Sequence, residues 1–248
     1  MKDRVILEED VKIRYSEMDC NLVLKPSALL QYLQDLASDN AESMEFGYSC
    51  IIKKNLAWFL LKYRFEFVDY PQNIFNLHIK TEPRGYNKLF ALRDFEIGYN
   101  GKILGRAATT WALVDINSKT MVNVAEALAG NRYLCQLQKR DNDLHYDKIK
   151  PIINIDIEKV FDIKFDDLDV NRHVNNSNYI VWAFETLDFN FRTKYKLKTL
   201  DIVFKKEIKH GAKVKVLTEI SKYITNHVLK NNETNEDLCL IKAEWTQL

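Results

Sequence analysis

Residues 13–27, IRYSEMDCNLVLKPS, and residues 163–177, IKFDDLDVNRHVNNS, are two versions of one segment. They align without a gap at a constant offset of 150, from 13 to 163. Ile13/Ile163, Asp19/Asp169, Asn21/Asn171 and Ser27/Ser177 are identical pairs. Arg14/Lys164, Tyr15/Phe165, Glu17/Asp167 and Met18/Leu168 keep their chemical type. A chain of 248 residues that repeats itself at this distance builds one unit twice. Its length fits two domains of about 125 residues. The copies differ at one chemically telling place, where Val23 stands opposite His173. That contrast suggests duplication followed by division of labour, one half holding a site and the other shaping or covering it.

Composition narrows the function classes. Apolar residues make up 46% of the chain and charged residues 29%, enough for a real core. The net charge of +1 supplies no strong field for nucleic acid, and no nucleic-acid partner is expected. No apolar run reaches the 18 or so residues of a membrane span, so no membrane partner is expected either. The N-terminal stretch MKDRVILEEDVKIRY reads as a first strand rather than a targeting segment, and a cytoplasmic location is the expectation. Cys20, Cys50, Cys135 and Cys239 make no CxxC pair and read as reduced, mostly buried thiols. The five histidines form no compact ligand set, and no metal is expected.

Hydrophobic periodicity gives the same element order in both halves. In the first, a strand over 5–15 precedes a helix opened by Pro26 and running to Met44, with Leu29, Leu30, Leu33, Leu36 and Ala37 on one face. Strands follow over 57–67, 75–83, 88–97 and 102–115, with a hairpin turn at Asn100-Gly101. In the second, a strand over 159–165 precedes a helix over 178–187, then strands over 200–208, 212–223, 225–229 and 237–245. Residues 136–151 are polar without a clean period and read as a linker. It separates an N-terminal domain, 1–135, from a C-terminal domain, 152–248. One helix against several antiparallel strands in each is an α+β arrangement.

Asp169, Asn171 and His173 alternate at i, i+2 and i+4, just before the second helix, in or beside a turn. In extended backbone they would point to one side. A carboxylate, an amide and an imidazole converging there can orient a carbonyl group and a water, with the helix's free amides holding a developing oxyanion. Asx residues before helices are also ordinary turn and cap residues, as Asp19 and Asn21 suggest for the first copy. Glu207, at the end of an apolar strand in IVFKKEIKHG, is a general base if burial raises its affinity for a proton, and otherwise a solvated surface carboxylate.

DLDVNRHVNNSNYIVWAFE and the later FKKEIKHG resemble the acyl-acyl-carrier-protein thioesterases of plants and bacteria. AWFLLKYRFEFVDYP, TEPRGYNKLFALRDFEI and GKILGRAATTWALVDINSKT extend the resemblance over essentially the whole chain. It implies a double hotdog, each domain an antiparallel sheet wrapped around a long helix. It also implies release of a fatty acid from the phosphopantetheine thioester of acyl carrier protein, with no cofactor. On that pattern Asp169 would orient Asn171, Asn171 and His173 would bind or polarise the carbonyl and water, and Glu207 would activate the water. Plant members commonly carry cysteine after the glutamate; here Ile208 stands in that place, which favours direct attack by water without an acyl-enzyme. The N-terminal domain would supply much of the acyl pocket, with Met44, Phe46, Trp58, Phe59, Leu60, Phe90 and Trp111 as candidate walls. Arg140, Lys148, Lys150, Arg172, Arg192, Lys194, Lys196 and Lys198 are candidates to dock an acidic carrier or the phosphates of coenzyme A. An acyl-coenzyme A thioesterase and a non-catalytic lipid-binding double hotdog are the alternative readings. Chain-length preference and oligomeric state, monomer or homodimer, stay open.

Overall fold

The computed structural model describes residues 6–248, so Val5, the start of the first expected strand, lies outside the described residues. The first half runs through β1 (Leu7–Lys12), α1 (Pro26–Ser43), α2 (Tyr48–Ile51), β2 (Leu56–Phe67), β3 (Asn76–Asn87), β4 (Phe90–Tyr99), β5 (Lys102–Asp115) and α3 (Val124–Ala127). The second runs through β6 (Ile157–Asp162), α4 (Asn176–Phe184), α5 (Phe189–Lys194), β7 (Tyr195–Phe204), β8 (Lys213–Ser221), β9 (Ile224–Asn231) and β10 (Asp237–Gln247). The strand order is β1-β3-β4-β5-β2 in the first and β6-β8-β9-β10-β7 in the second. Replacing each strand by its counterpart in chain order turns one order into the other. The duplication read at 13–27 and 163–177 therefore extends to topology.

Period-two alternation builds the sheets. In β4, Arg93, Phe95 and Ile97 are buried while Asp94 and Glu96 are less so. In β9, Thr225, His227 and Leu229 are buried in the same rhythm. Successive side chains of a strand face opposite sides, so each strand presents one apolar row to the core. Helix α1 buries Leu29, Leu30, Leu33, Leu36 and Ala37, the face expected from their spacing. Fully burying such a side chain contributes about 1.5–3 kcal/mol.

The expected helix over 178–187 occupies Asn176–Phe184 instead. It starts earlier because Asn175 caps it, its Oδ1 accepting the Ser177 N–H at 3.0 Å. It stops earlier because the Thr186 hydroxyl donates to the Ala183 carbonyl at 2.6 Å. Strand β3 outruns its expected end at Pro83. A bulge between Pro83 and Gly85 carries it on to Asn87. Gly85 has φ +112, and a β-carbon there would lie 2.7 Å from the Cys135 carbonyl oxygen. Only glycine fits that close approach without strain.

Packing divides the chain into two compact units that interleave along the sequence. One comprises the segment ending at Ile13 with Gln31–Phe65 and Ile74–His145; the other comprises Arg14–Leu30, Glu66–Asn73 and Tyr146–Leu248. In the second unit, Asn21 Nδ2 donates to the Thr193 carbonyl at 3.1 Å and Lys196 pairs with Asp69 at 2.6 Å. The early part of the stretch read as a linker is tied to the first unit. There Arg84, 3% exposed, bonds Asp94, Asp143 at 2.6 Å and the Gln138 carbonyl at 3.0 Å. Among the described residues no helix is long and apolar enough to cross a membrane.

Candidate active site

The two copies fold into one loop geometry. A 3-10 turn, Tyr15–Glu17 or Phe165–Asp167, opens each. The Glu17 carboxylate accepts the Arg14 N–H at 2.6 Å, and that of Asp167 accepts the Lys164 N–H at 2.7 Å. Asp19 Oδ1 then accepts the N–H groups of Asn21 at 2.8 Å and Val23 at 3.0 Å. Asp169 Oδ1 accepts those of Asn171 at 2.8 Å and His173 at 3.1 Å. Leu22 and Arg172, the residues before Val23 and His173, both turn left-handed, at φ 56 and φ 64.

That geometry bears on two expectations. The segment 169–173 is not extended, because Arg172 turns it, so simple alternation does not aim its side chains. Asp169 engages the backbone of Asn171, not its amide, and Asp19 does the same in the copy without the histidine. The Asn171 side chain makes no hydrogen bond among the described residues and lies exposed. Its counterpart Asn21 spends its amide on Thr193. The amides at the start of α4 are also not all free. Asn175 takes the N–H of Ser177 with its side chain and that of Asn178, at 3.0 Å, with its carbonyl.

Beyond the loop the copies diverge. His173 Nε2 lies 3.3 Å from Glu207 Oε2, with side chains 19% and 48% exposed. Of the two readings left open for Glu207, burial and solvation, the structure shows a half-exposed carboxylate. The segment bearing it is held against the loop, where the Val174 N–H bonds the Ile208 carbonyl at 3.1 Å and His173 bridges Lys209. In the other copy the Leu24 N–H bonds the Pro71 carbonyl at 3.0 Å and Val23 bridges Gln72. Tyr70 therefore stands where Glu207 stands, and the silent loop lacks both members of the His–Glu pair.

Tyr179 is a residue that sequence reasoning passed over. It lies on α4, 2% exposed, and its hydroxyl makes a long contact of 3.5 Å to the Lys206 carbonyl. Burial pushes its phenol well above the usual range, and the charges of Glu207 and Asp169 add to that. Its counterpart at the offset of 150, from 29 to 179, is Leu29. The one signal available was this Leu-to-Tyr change, which accompanies Val23-to-His173.

Of the cysteines only Cys239 is buried; Cys20 is exposed and Cys50 and Cys135 are intermediate. Burial drives the Cys239 thiol well up, away from thiolate chemistry. Among the candidate acyl-pocket walls, Met44 and Leu60 are buried. Phe46 and Trp58 pack on the core cluster of Ile51, Leu56, Leu113, Val124 and Leu128. Of the candidate docking cations, Arg140, Arg192 and Lys196 are engaged by Glu82, Glu185 and Asp69.

Residues 5–131 match the acyl-ACP thioesterase N-terminal domain and residues 152–247 the acyl-ACP thioesterase C-terminal domain. The palmitoyl-acyl carrier protein thioesterase of Gossypium hirsutum is 22% identical over 95% of this chain and 60% of its own length. Oleoyl-acyl carrier protein thioesterase 2 of Arabidopsis thaliana is 23% identical over 88% of this chain and 64% of its own. The chain thus spans about three fifths of the length of these plant proteins. A Lactobacillus plantarum structure assigned as an oleoyl thioesterase superposes with a TM-score of 0.88 at 23% identity, covering 99% of this chain and 98% of that one. The 12:0-ACP thioesterase of Umbellularia californica gives 0.84 at 18% identity, covering 98% of each. These likenesses show the fold, an α+β hotdog architecture.

Proposed function

The chain belongs to the acyl-ACP thioesterase family, and from that premise we propose that it hydrolyses the thioester between a fatty acyl group and the phosphopantetheine of acyl carrier protein. The observation that carries the proposal is the approach of His173 Nε2 and Glu207 Oε2 to 3.3 Å, in the one loop copy that has both residues. A carboxylate and an imidazole at that distance can hold a water between them and a carbonyl carbon, and the half-exposed Glu207 is open to that water.

In this reading Glu207 is the base. It takes a proton from water as the oxygen attacks the thioester carbon. His173 Nε2 fixes the carboxylate and the water, and the free Asn171 amide donates to the thioester oxygen. Asp169 holds the loop backbone on which both side chains stand. The carbon–sulfur bond then breaks, the sulfur leaves and is protonated, and the free fatty acid remains. No enzyme thiol takes part: Ile208 follows Glu207, and the buried Cys239 is held as the thiol.

The test is a hydrolysis panel of acyl-carrier-protein and acyl-coenzyme A thioesters of graded chain length, read by thiol release. Carrier thioesters are expected to turn over with the higher kcat/KM. Each methylene that enters an apolar pocket contributes about 0.8 kcal/mol, so neighbouring even chain lengths should differ clearly until the pocket is full. Turnover confined to coenzyme A thioesters would move the assignment to that substrate class. Binding of acyl chains without any hydrolysis would leave a lipid-binding protein.

A further inference from the structure

We propose that Lys209 is a further catalytic side chain of this site, placed to hold the negative charge that develops on the thioester oxygen. The inference rests on the thioesterase reading above.

The placement follows from register. His173 and Lys209 are antiparallel bridge partners, and the Val174 N–H bonds the Ile208 carbonyl at 3.1 Å. That bond joins the residue after His173 to the residue before Lys209, so the two are a non-hydrogen-bonded pair. In such pairs the Cα atoms are about 4.5 Å apart and the side chains stand close on one face. Glu207 and Lys209 are both exposed on either side of the buried Ile208, so the two share a face. The contact of 3.3 Å between Glu207 and His173 shows independently that this face is the one His173 occupies. Imidazole, carboxylate and ammonium therefore project together. Lys209 is exposed and has no ion pair among the described residues, whereas the nearby Lys205 and Lys206 are held by Asp237 and Glu236. The silent copy lacks this set: Val23, Tyr70 and Gln72 stand in the three places.

The chemistry calls for such a cation. Water adds to the thioester carbon while Glu207 takes one of its protons. The carbonyl π pair moves onto oxygen, giving an oxyanion. Collapse restores the carbonyl, the carbon–sulfur pair leaves on sulfur, and the sulfur recovers the proton from Glu207. The product acid ionises to a carboxylate and releases its proton to solvent. At the end of the cycle two carboxylates share the site. Like charges so placed repel, and an unpaired ammonium on the same face offsets both that repulsion and the earlier oxyanion.

The experiment compares wild type with Lys209→Met, Lys209→Arg and a control, Lys213→Met, whose lysine pairs with Asp162 at the surface. Each is assayed on an acyl-carrier-protein thioester and on a small acyl-N-acetylcysteamine thioester that lacks the carrier, with thermal midpoints recorded on the same samples. Lys209→Met is expected to lower kcat roughly tenfold to a hundredfold on both substrates, with KM nearly unchanged. Lys209→Arg should recover most of that loss, and Lys213→Met should behave as wild type. A wild-type kcat in Lys209→Met overturns the proposal and leaves the thioesterase reading standing. A loss seen only in KM for the carrier substrate also overturns it, making Lys209 a docking residue. Wild type inert on every thioester sinks both.

Discussion

Val23 and His173 sit in loops in which Asp19 and Asp169 hold the same two backbone N–H groups, so the chemical contrast between the copies lies in their side chains. This gives a clean way to separate scaffold from chemistry. Asp19→Ala and Asp169→Ala each remove an acceptor shared by two backbone N–H groups. Each should cost about 1–3 kcal/mol in urea denaturation. Asp169→Ala should also depress kcat, because Asn171 and His173 ride on that loop. Equal losses of kcat in the two variants would contradict the assignment of chemistry to the second loop. Glu207→Gln keeps volume and removes the proposed base. Single-turnover hydrolysis should fall roughly 10²–10⁴-fold while carrier binding measured by stopped flow stays near wild type. Near-normal single-turnover rates would transfer the base role to His173. At this scale His173 was legible because its counterpart is a valine. Glu207 was legible as either a base or a solvated carboxylate, and the family resemblance favoured the first. Lys209 was not legible, since its counterpart Gln72 lies at an offset of 137, from 72 to 209, and only the bridge register reveals it.

The long elements announce themselves through periodicity, and the departures are local. Helix α5 has few apolar positions and is started by Asp188, whose Oδ1 accepts the Phe191 N–H at 2.7 Å; a single cap before six residues is a weak sequence signal. Strand β3 passes Pro83 because a bulge absorbs it, and bulges depend on the partner strand. Strand β9 carries a further consequence. His227 lies fully buried, its ring nitrogens each 2.9 Å from the hydroxyls of Thr218 and Thr225, and burial lowers its pKa from 6.5 to about 3. The folded state therefore holds this ring neutral where the unfolded chain protonates it. Stability from this residue is complete above pH 6.5. It is lost as pH falls from 6.5 towards about 3, at up to about 1.4 kcal/mol per pH unit. Urea unfolding of wild type and His227→Gln between about pH 7.5 and about pH 5, on either side of the unfolded-state pKa, should show the steeper loss in wild type. Parallel pH profiles would rule out a titrating His227 as the cause.

For the molecule as a whole, the duplication was readable because a fifteen-residue segment aligns without a gap in both halves, and the matching strand orders agree with it. The partition into compact units was not, because Arg14–Leu30 and Glu66–Asn73 join the unit that ends at Leu248, and sequence proximity argues the opposite. Those two segments complete their bonding late in the life of the chain. A ribosome releases Asn21 and Asp69 long before Thr193 and Lys196, the residues they bond in the finished protein. Until then the early segments lack those partners. A polypeptide ending at residue 135 should be clipped within 14–30 and 66–73 under limited proteolysis that spares these segments in the full chain. Equal protection of the two would show that they close without the later strands. The interleaving thus makes two early segments dependent on residues far along the chain, and a polypeptide cut short of Thr193 and Lys196 lacks the contacts that hold them.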